Sequence, residues 1–320
     1  RNQQAPTLSR MQEDRQRIMR EINRDEELAS ALTDIDGKLA AQDPLGAYEI
    51  RKALINRYPL LEANQGLAER VQQATTLERS LVKPASLDVE LTAAALPAAA
   101  GRSFVLANRT GSPAPSLQGQ VLFVKAKGSV YGLDGESGQI LWRHFVGQYF
   151  PSQPLRIGET DVDAIVSQSE QGILSRLTGN NGESKWSAKL GTAIHNPTLA
   201  GEELLVATLE GTVVRLDAAT GQLMWAAQLP QATATSAAIS QAGAGENAQL
   251  YVPADHSNLF VLSRSDGTCS EVFYLGHRSG SLAVPPIWLL GQLFVFENIS
   301  SKSAKIRILS TTSSGLELQE

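Results

Sequence analysis

A glycine turn followed four residues later by a tryptophan recurs along this chain, and this repeat constrains the fold more than any other feature. The three clear copies are Gly138 with Trp142, Gly182 with Trp186, and Gly221 with Trp225. Fainter copies contain Gly267, with Glu271 at the tryptophan position, and Gly315. Repeats spaced by about 40 to 50 residues, each with several short apolar segments, predict a β-propeller of four-stranded blades.

The copy at residues 215–229, RLDAATGQLMWAAQL, indicates a β-hairpin. Strand-forming residues flank a turn in which Asp217 can accept backbone hydrogen bonds and Gly221 can adopt a positive φ. A hairpin alone does not bury an indole, so each tryptophan must pack against a further element. We therefore predict that the tryptophans fill the wedge between neighbouring sheets and do not bind a ligand.

These residues resemble the repeat of the pyrroloquinoline-quinone-like (PQQ-like) propeller family. The resemblance covers residues 113–320 and includes an acidic residue before the turn, replaced by Thr178 in the second copy. A WD40 blade would place Asp directly after the tryptophan, and a kelch blade usually has a Gly-Gly pair; neither occurs in these copies. The predicted structural repeat residues are Asp134, Gly138, Trp142, Gly182, Trp186, Asp217, Gly221, Trp225 and Gly267.

The resemblance implies several functions, because the family includes quinone-dependent dehydrogenases, outer-membrane assembly lipoproteins, and sensor or scaffold domains. Quinone enzymes of this family typically have a vicinal cysteine pair, whereas Cys269 is the single cysteine of this chain. Carboxylates that could help to hold calcium stand at unequal places in the repeats: Glu159, Asp161, Asp163, Glu202, Glu203 and Asp255. We therefore expect no quinone, no catalytic metal and no other cofactor.

Other catalytic motifs are not found in the sequence. The four histidines, at positions 144, 195, 256 and 277, lack the spacing of a metal-binding motif. The sequence contains no GxSxG elbow and no phosphate-binding glycine loop. The chain is accordingly expected not to be an enzyme.

Composition excludes further classes of protein. A formal net charge of −5 over 320 residues, without a basic run, gives no indication of nucleic-acid binding. No apolar segment reaches the roughly 18 residues that a membrane-spanning helix needs. One cysteine forms no internal disulfide and leaves the redox compartment open. The chain begins without Met, and we expect it to be a processed product or a piece of a longer protein.

The N-terminal quarter has a different character. Helix-forming residues dominate residues 1–82, and Asp43 followed by Pro44 is typical of an N-cap and a first helical residue. Two or three amphipathic helices packed as a hairpin, or against a partner, are expected there. Residues 83–101 are rich in Ala and Pro and are predicted to be a linker that separates this α-helical segment from a propeller region at residues 102–320.

The sequence favours a non-catalytic propeller that acts as a protein-binding or scaffold module, as part of a larger bacterial protein or assembly. Its partner is expected to be a protein, and the family resemblance alone favours the cell envelope or periplasm. The alternatives are a quinoprotein oxidoreductase or its degenerate relative, and a ligand-sensing domain of a receptor or kinase.

Overall fold

The computed structural model describes residues 4–92, 120–147, 153–158, 162–240, 248–312 and 315–319. The chain divides into two compact units, one ending at Leu81 and one beginning at Val82. Among the described residues, the helices fall short of the length and apolarity that a membrane span requires.

The first unit is helical. Its helices are α1 (Gln4–Ala40), α2 (Pro44–Arg57) and α3 (Gln65–Leu81), with a 3₁₀ turn at Pro59–Ala63. The structure places Asp43 at the N-cap of α2, where its Oδ1 accepts a hydrogen bond from the N–H of Gly46 at 2.9 Å. This N–H and the nearby Lys38 lower the pKa of Asp43. The cap therefore fixes where the chain reverses after α1.

Buried aliphatic residues from all three helices form the core of the helical unit. Ile35 and Leu67 are almost completely buried, and they pack with Ala31, Ala47 and Leu54. At the rim, the guanidinium of Arg70 on α3 donates two hydrogen bonds to Asp36 on α1, at 2.8 and 3.0 Å. The second half of α1 is thus held by packing and by paired charges.

The second unit is mainly β. It opens with two short strands, β1 (Lys83–Pro84) and β2 (Glu90–Thr92). Sheet 1 contains β3 (Val121–Ala126), β4 (Ser129–Asp134) and β5 (Ile140–Phe145). Sheet 2 contains β6 (Leu155–Ile157), β7 (Asp163–Gln168), β8 (Ile173–Thr178) and β9 (Ser184–Lys189). Sheet 3 contains β10 (Thr198–Ala200), β11 (Glu203–Ala207), β12 (Thr212–Asp217) and β13 (Leu223–Gln228).

Two further sheets complete the described part of the unit. Sheet 4 contains β14 (Ala238–Ile239), β15 (Gln249–Pro253), β16 (Asn258–Ser263) and β17 (Cys269–Tyr274). Sheet 5 contains β18 (Ile287–Leu289), β19 (Gln292–Ser300), β20 (Ser303–Thr312) and β21 (Gly315–Leu318). Within each sheet, strands that follow one another in the chain are antiparallel neighbours.

Consecutive sheets share an apolar core. Leu174 of sheet 2 packs with Leu204 of sheet 3, and Val213 of sheet 3 packs with Phe260 of sheet 4. Equivalent cores join sheet 1 to sheet 2 and sheet 4 to sheet 5. The sheets therefore stack in the order of the sequence, which is a propeller-like arrangement.

Residues 83–92 depart from the expected linker. Lys83 pairs with Gln228 of sheet 3, and Glu90 pairs with Lys189 of sheet 2, so each of these sheets gains a fifth strand at its outer edge. Between the two pairings, three apolar side chains pack against the core shared by sheets 2 and 3: Ala85, Leu87 and Val89. We call residues 83–92 the strap. The remainder of the predicted linker, residues 93–101, lies outside the described residues.

Candidate functional site

Each repeated tryptophan donates a hydrogen bond to the sheet that follows its own sheet in the sequence. The indole Nε1–H of Trp142 donates to the carbonyl oxygen of Gly179 in sheet 2 at 2.5 Å. The indole of Trp186 in sheet 2 donates to the carbonyl oxygen of Ala218 at 3.1 Å. The indole of Trp225 in sheet 3 donates to the carbonyl oxygen of Arg264 at 2.8 Å. Each acceptor lies at the turn that follows the third strand of the next sheet. We call these contacts the joints.

The repeated glycines receive the tryptophan rings. Gly182, Gly221 and Gly267 have φ between +70° and +75°. A Cβ atom on Gly182 would lie 2.7 Å from the ring of Trp142, and one on Gly221 would lie 2.8 Å from the ring of Trp186. Glycine is therefore required at these positions for two reasons: the backbone has a positive φ, and an indole ring occupies the space that a side chain would need.

The acidic residues before the turns hold the turns themselves. Asp134 Oδ1 accepts hydrogen bonds from the backbone N–H and the hydroxyl of Ser137, at 2.7 and 2.6 Å, and these bonds lower the pKa of Asp134. Asp217 accepts equivalent bonds from Thr220 at 2.7 and 2.8 Å. In the second copy, the hydroxyl of Thr178 accepts the N–H of Glu183 at 3.0 Å. These side chains stabilise loop geometry.

The tryptophans are not equally buried. Trp142 and Trp186 are 5% and 3% exposed, whereas Trp225 is half-buried. Leu91 of the strap lies beside Gly221, where the ring of Trp186 rests, so the strap contributes to this joint. The prediction that the tryptophans fill the wedge between neighbouring sheets therefore describes Trp142 and Trp186 better than Trp225.

The joint between sheets 4 and 5 uses a carboxylate in place of an indole. Both carboxylate oxygens of Glu271 lie 3.1 Å from the backbone N of Leu316, which donates to them. A Cβ atom on Gly315 would lie 2.7 Å from the same carboxylate. Burial raises the pKa of Glu271. The fourth repeat thus keeps the position of the joint and changes its chemistry.

Arginines on the third strands reinforce two joints, and sequence reasoning missed them. Arg176 Nη1 donates at 3.0 Å to the carbonyl of Ala218, which is also the acceptor of Trp186. Arg215 Nη1 donates at 2.9 Å to the carbonyl of Arg264, the acceptor of Trp225. The available signal was an arginine two residues before Thr178 and Asp217 in successive copies.

The carboxylates that the sequence analysis considered as possible calcium ligands either pair with other side chains or lie apart from one another. Asp163 is 2% exposed and accepts from Arg176 at 2.6 Å and from Lys185 at 2.7 Å. Glu203 pairs with Arg215 and, at 2.8 Å, with Arg264. Asp255 Oδ1 accepts the N–H of Gly280 at 3.1 Å.

Glu202 is exposed, and Glu159 and Asp161 lie outside the described residues. Within the described ranges, no group of three or more His, Cys, Asp or Glu is arranged to hold a metal ion.

The histidines lie at one end of the sheets. This end carries the loops between second and third strands and the connections between sheets, and we call it the connection face; the repeat turns are at the opposite end. The ring Nε2 of His195 lies 3.1 Å from the carbonyl oxygen of Thr233, and that of His277 lies 2.9 Å from the carbonyl oxygen of Ala254. Burial lowers the pKa of His144, His195 and His277.

The lowered pKa values of the buried His277 and the half-buried His144 and His195 predict that the stability of the protein falls in mild acid. In an unfolded chain the pKa of histidine is about 6.5, whereas the pKa values of these three histidines are lower in the folded protein. The unfolded state therefore takes up protons at a higher pH than the folded state. The contribution of the neutral histidines to the free energy of unfolding is complete above that pH and is lost as the pH falls below it. We expect the thermal midpoint to decrease between about pH 7.5 and 5.5, and to decrease less in His277→Gln. A midpoint that is flat over this interval would contradict the prediction.

Comparisons with known proteins agree with the repeat. Residues 126–271 match the family described as outer membrane protein assembly factor BamB. The outer membrane protein assembly factor BamB of Burkholderia pseudomallei is 29% identical over 113 residues, which cover 35% of this chain and 28% of that protein. The match thus spans little more than a quarter of that relative.

Solved structures show likeness at low identity. The BamB structure from Moraxella catarrhalis has a TM-score of 0.35 and 13% identity, covering 56% of this chain and 67% of that chain. A chain of the mitotic checkpoint complex has a TM-score of 0.46 and 14% identity, covering 61% of this chain and 58% of that chain.

Proposed function

We propose, from the PQQ-like repeats that residues 126–271 carry, that this chain is a non-catalytic protein-binding module of a bacterial envelope assembly. The matched family is described as an assembly factor for outer-membrane proteins, which supports a role in holding other proteins together during that process. The proposed partner is a protein component of the outer-membrane assembly machinery, and the proposed location is the periplasm.

The observation that carries this proposal is that joints hold consecutive sheets against one another in one arrangement. Each joint combines a shared apolar core with a hydrogen bond from one sheet to the next. Loops that are held by such a rigid scaffold are the usual location of binding residues. The connection face therefore presents its loops in a constant arrangement.

Exposed apolar and charged side chains lie close in sequence on the connection face. Leu209 is 36% exposed beside the exposed Glu210, and Val284 is 49% exposed in the same connection as the exposed Arg278. Such a mixture can contribute apolar contact area and charge complementarity to a protein interface. We infer that the connection face is the binding face of the module.

Photo-crosslinking tests this assignment. A photoreactive amino acid at position 209 or 284 should capture a component of the outer-membrane assembly machinery in cells of the source organism. The same residue at position 290 provides the matched control, because Leu290 is 92% exposed in the turn between β18 and β19, at the opposite end of the sheets. Equal crosslinking from all three positions would argue against the connection face.

The non-catalytic part of the proposal has its own test. Purified full-length protein should bind neither calcium in stoichiometric amount nor a quinone chromophore after both are added. A visible quinone band together with one equivalent of calcium would overturn it and favour an oxidoreductase.

A further inference from the structure

Residues 11–23 of α1 lie outside the core of the helical unit. Every residue from 11 to 23 is exposed, and packing against the helical core begins near Leu28. An isolated helix of this length is marginal in water, because helix nucleation is unfavourable and most helical stability in proteins comes from packing. Among the described residues, this segment of α1 therefore lacks the core packing that normally stabilises such a helix.

One face of this exposed segment carries large apolar side chains at heptad spacing. Met11, Ile18 and Ile22 are 66%, 50% and 44% exposed, and they are separated by seven and four residues. The positions that complete the same seam are also exposed: Arg15, Asp25 and Ala29. We call these six residues the α1 stripe. At 1.5 Å per residue it is about 27 Å long, the length of a short coiled coil.

We propose that the α1 stripe is a self-association surface on which a second copy of this chain binds as an antiparallel coiled coil. The stripe is complementary to its own reversed copy. When two copies are aligned antiparallel and centred on Arg20, Ile18 meets the partner's Ile22. In the same register Met11 meets the partner's Ala29, and Arg15 meets the partner's Asp25.

The charges select the antiparallel direction. In a parallel pair Arg15 would face Arg15 and Asp25 would face Asp25, which is repulsive at both positions. In the antiparallel pair each arginine faces an aspartate, so the seam contains two symmetry-related charged pairs, and such pairs help to specify the orientation and register of a coiled coil. Asp25 is exposed and pairs with Arg24 of its own helix at 2.7 Å, so its carboxylate lies at the surface. Met19, 49% exposed, flanks the seam at its centre and adds apolar contact.

Charge exchange in the full-length protein tests the proposal. Sedimentation velocity over a concentration series should show a concentration-dependent dimer. Arg15→Asp and Asp25→Arg should each raise the dimer Kd at least about 10-fold, because each places like charges together. The double variant Arg15→Asp/Asp25→Arg should restore the Kd to within a few-fold of the parent, since it re-forms the pair in reverse.

Arg20→Asp provides the matched control, since it makes the same charge change on the opposite side of the helix and should leave the Kd nearly unchanged. Far-UV circular dichroism identifies any variant that has lost helix, and Ile18→Asp, which keeps the charged pair, provides a second disruption of the seam. A parent protein that stays monomeric at all concentrations would overturn the proposal. A dimer that tolerates both single reversals, or that the double variant does not restore, would overturn it as well.

Discussion

Replacing Trp186 with alanine is expected to lower the free energy of unfolding by about 3 to 5 kcal/mol, the range for large-to-small changes in a core. The side chain is 3% exposed and packs in the core shared by sheets 2 and 3. Its removal leaves a cavity and also takes one donor from the carbonyl of Ala218, although Arg176 continues to donate to that oxygen. Denaturant titration monitored by circular dichroism measures the change.

Two further variants separate the causes of this loss. Trp186→Phe keeps much of the apolar volume but removes the Nε1 donor, so it should destabilise less than alanine. Trp225→Ala should also destabilise less, because Trp225 is half-buried. If Trp186→Ala unfolds at the same denaturant concentration as the parent, the packing role of the repeated tryptophan is wrong.

Gly182→Ala is expected to destabilise the protein by about 1 to 3 kcal/mol more than Gly138→Ala, which is the range for overpacking a well-filled site. Both glycines have a φ of +70° and occupy the same position in their repeat turns, so the conformational strain of alanine is common to the two variants. They differ in their surroundings. A Cβ atom on Gly182 would meet the ring of Trp142 at 2.7 Å, whereas one on Gly138 has nothing described within 4 Å.

The comparison therefore measures the joint rather than the turn. Thermal or chemical unfolding of the two variants in parallel provides the difference directly. Equal destabilisation would mean that the ring of Trp142 moves aside without loss, and that the glycine is required for its backbone conformation alone.

The repeating sheets could be predicted from the sequence because each copy indicates two features. Gly221 indicates a local turn, and Trp225, four residues later, indicates a contact with a more distant part of the chain. A glycine with positive φ fixes the hairpin, and a large aromatic four residues later must be covered by something outside that hairpin. Both requirements recur in every clear copy. Sequence reasoning also located the cap at Asp43, because capping depends on residues adjacent in the chain.

Features that depend on distant partners were harder to predict. The strap alternates Ala85, Leu87 and Val89 with polar residues, which is a strand pattern, but its Ala- and Pro-rich surroundings obscured that pattern. The contact of Arg176 with Ala218 joins residues 42 positions apart, and nothing in either local segment indicates it. The lesser burial of Trp225 is likewise not indicated by its own copy of the repeat, which has Asp217 and Gly221 at the expected positions.

The strap also has a consequence for the order of events during synthesis. Lys83 and Glu90 pair with strands that lie more than 90 residues later in the chain, at Gln228 and Lys189. At 5–20 residues per second, the later edge is made roughly 7 to 30 s after Lys83. Until Gln228 is made, the strap cannot pair with sheet 3, and the apolar core that sheets 2 and 3 share with it is incomplete. The strap can therefore be fixed on both sheets only after Gln228 has been made, and the nascent chain must keep its apolar side chains soluble until then.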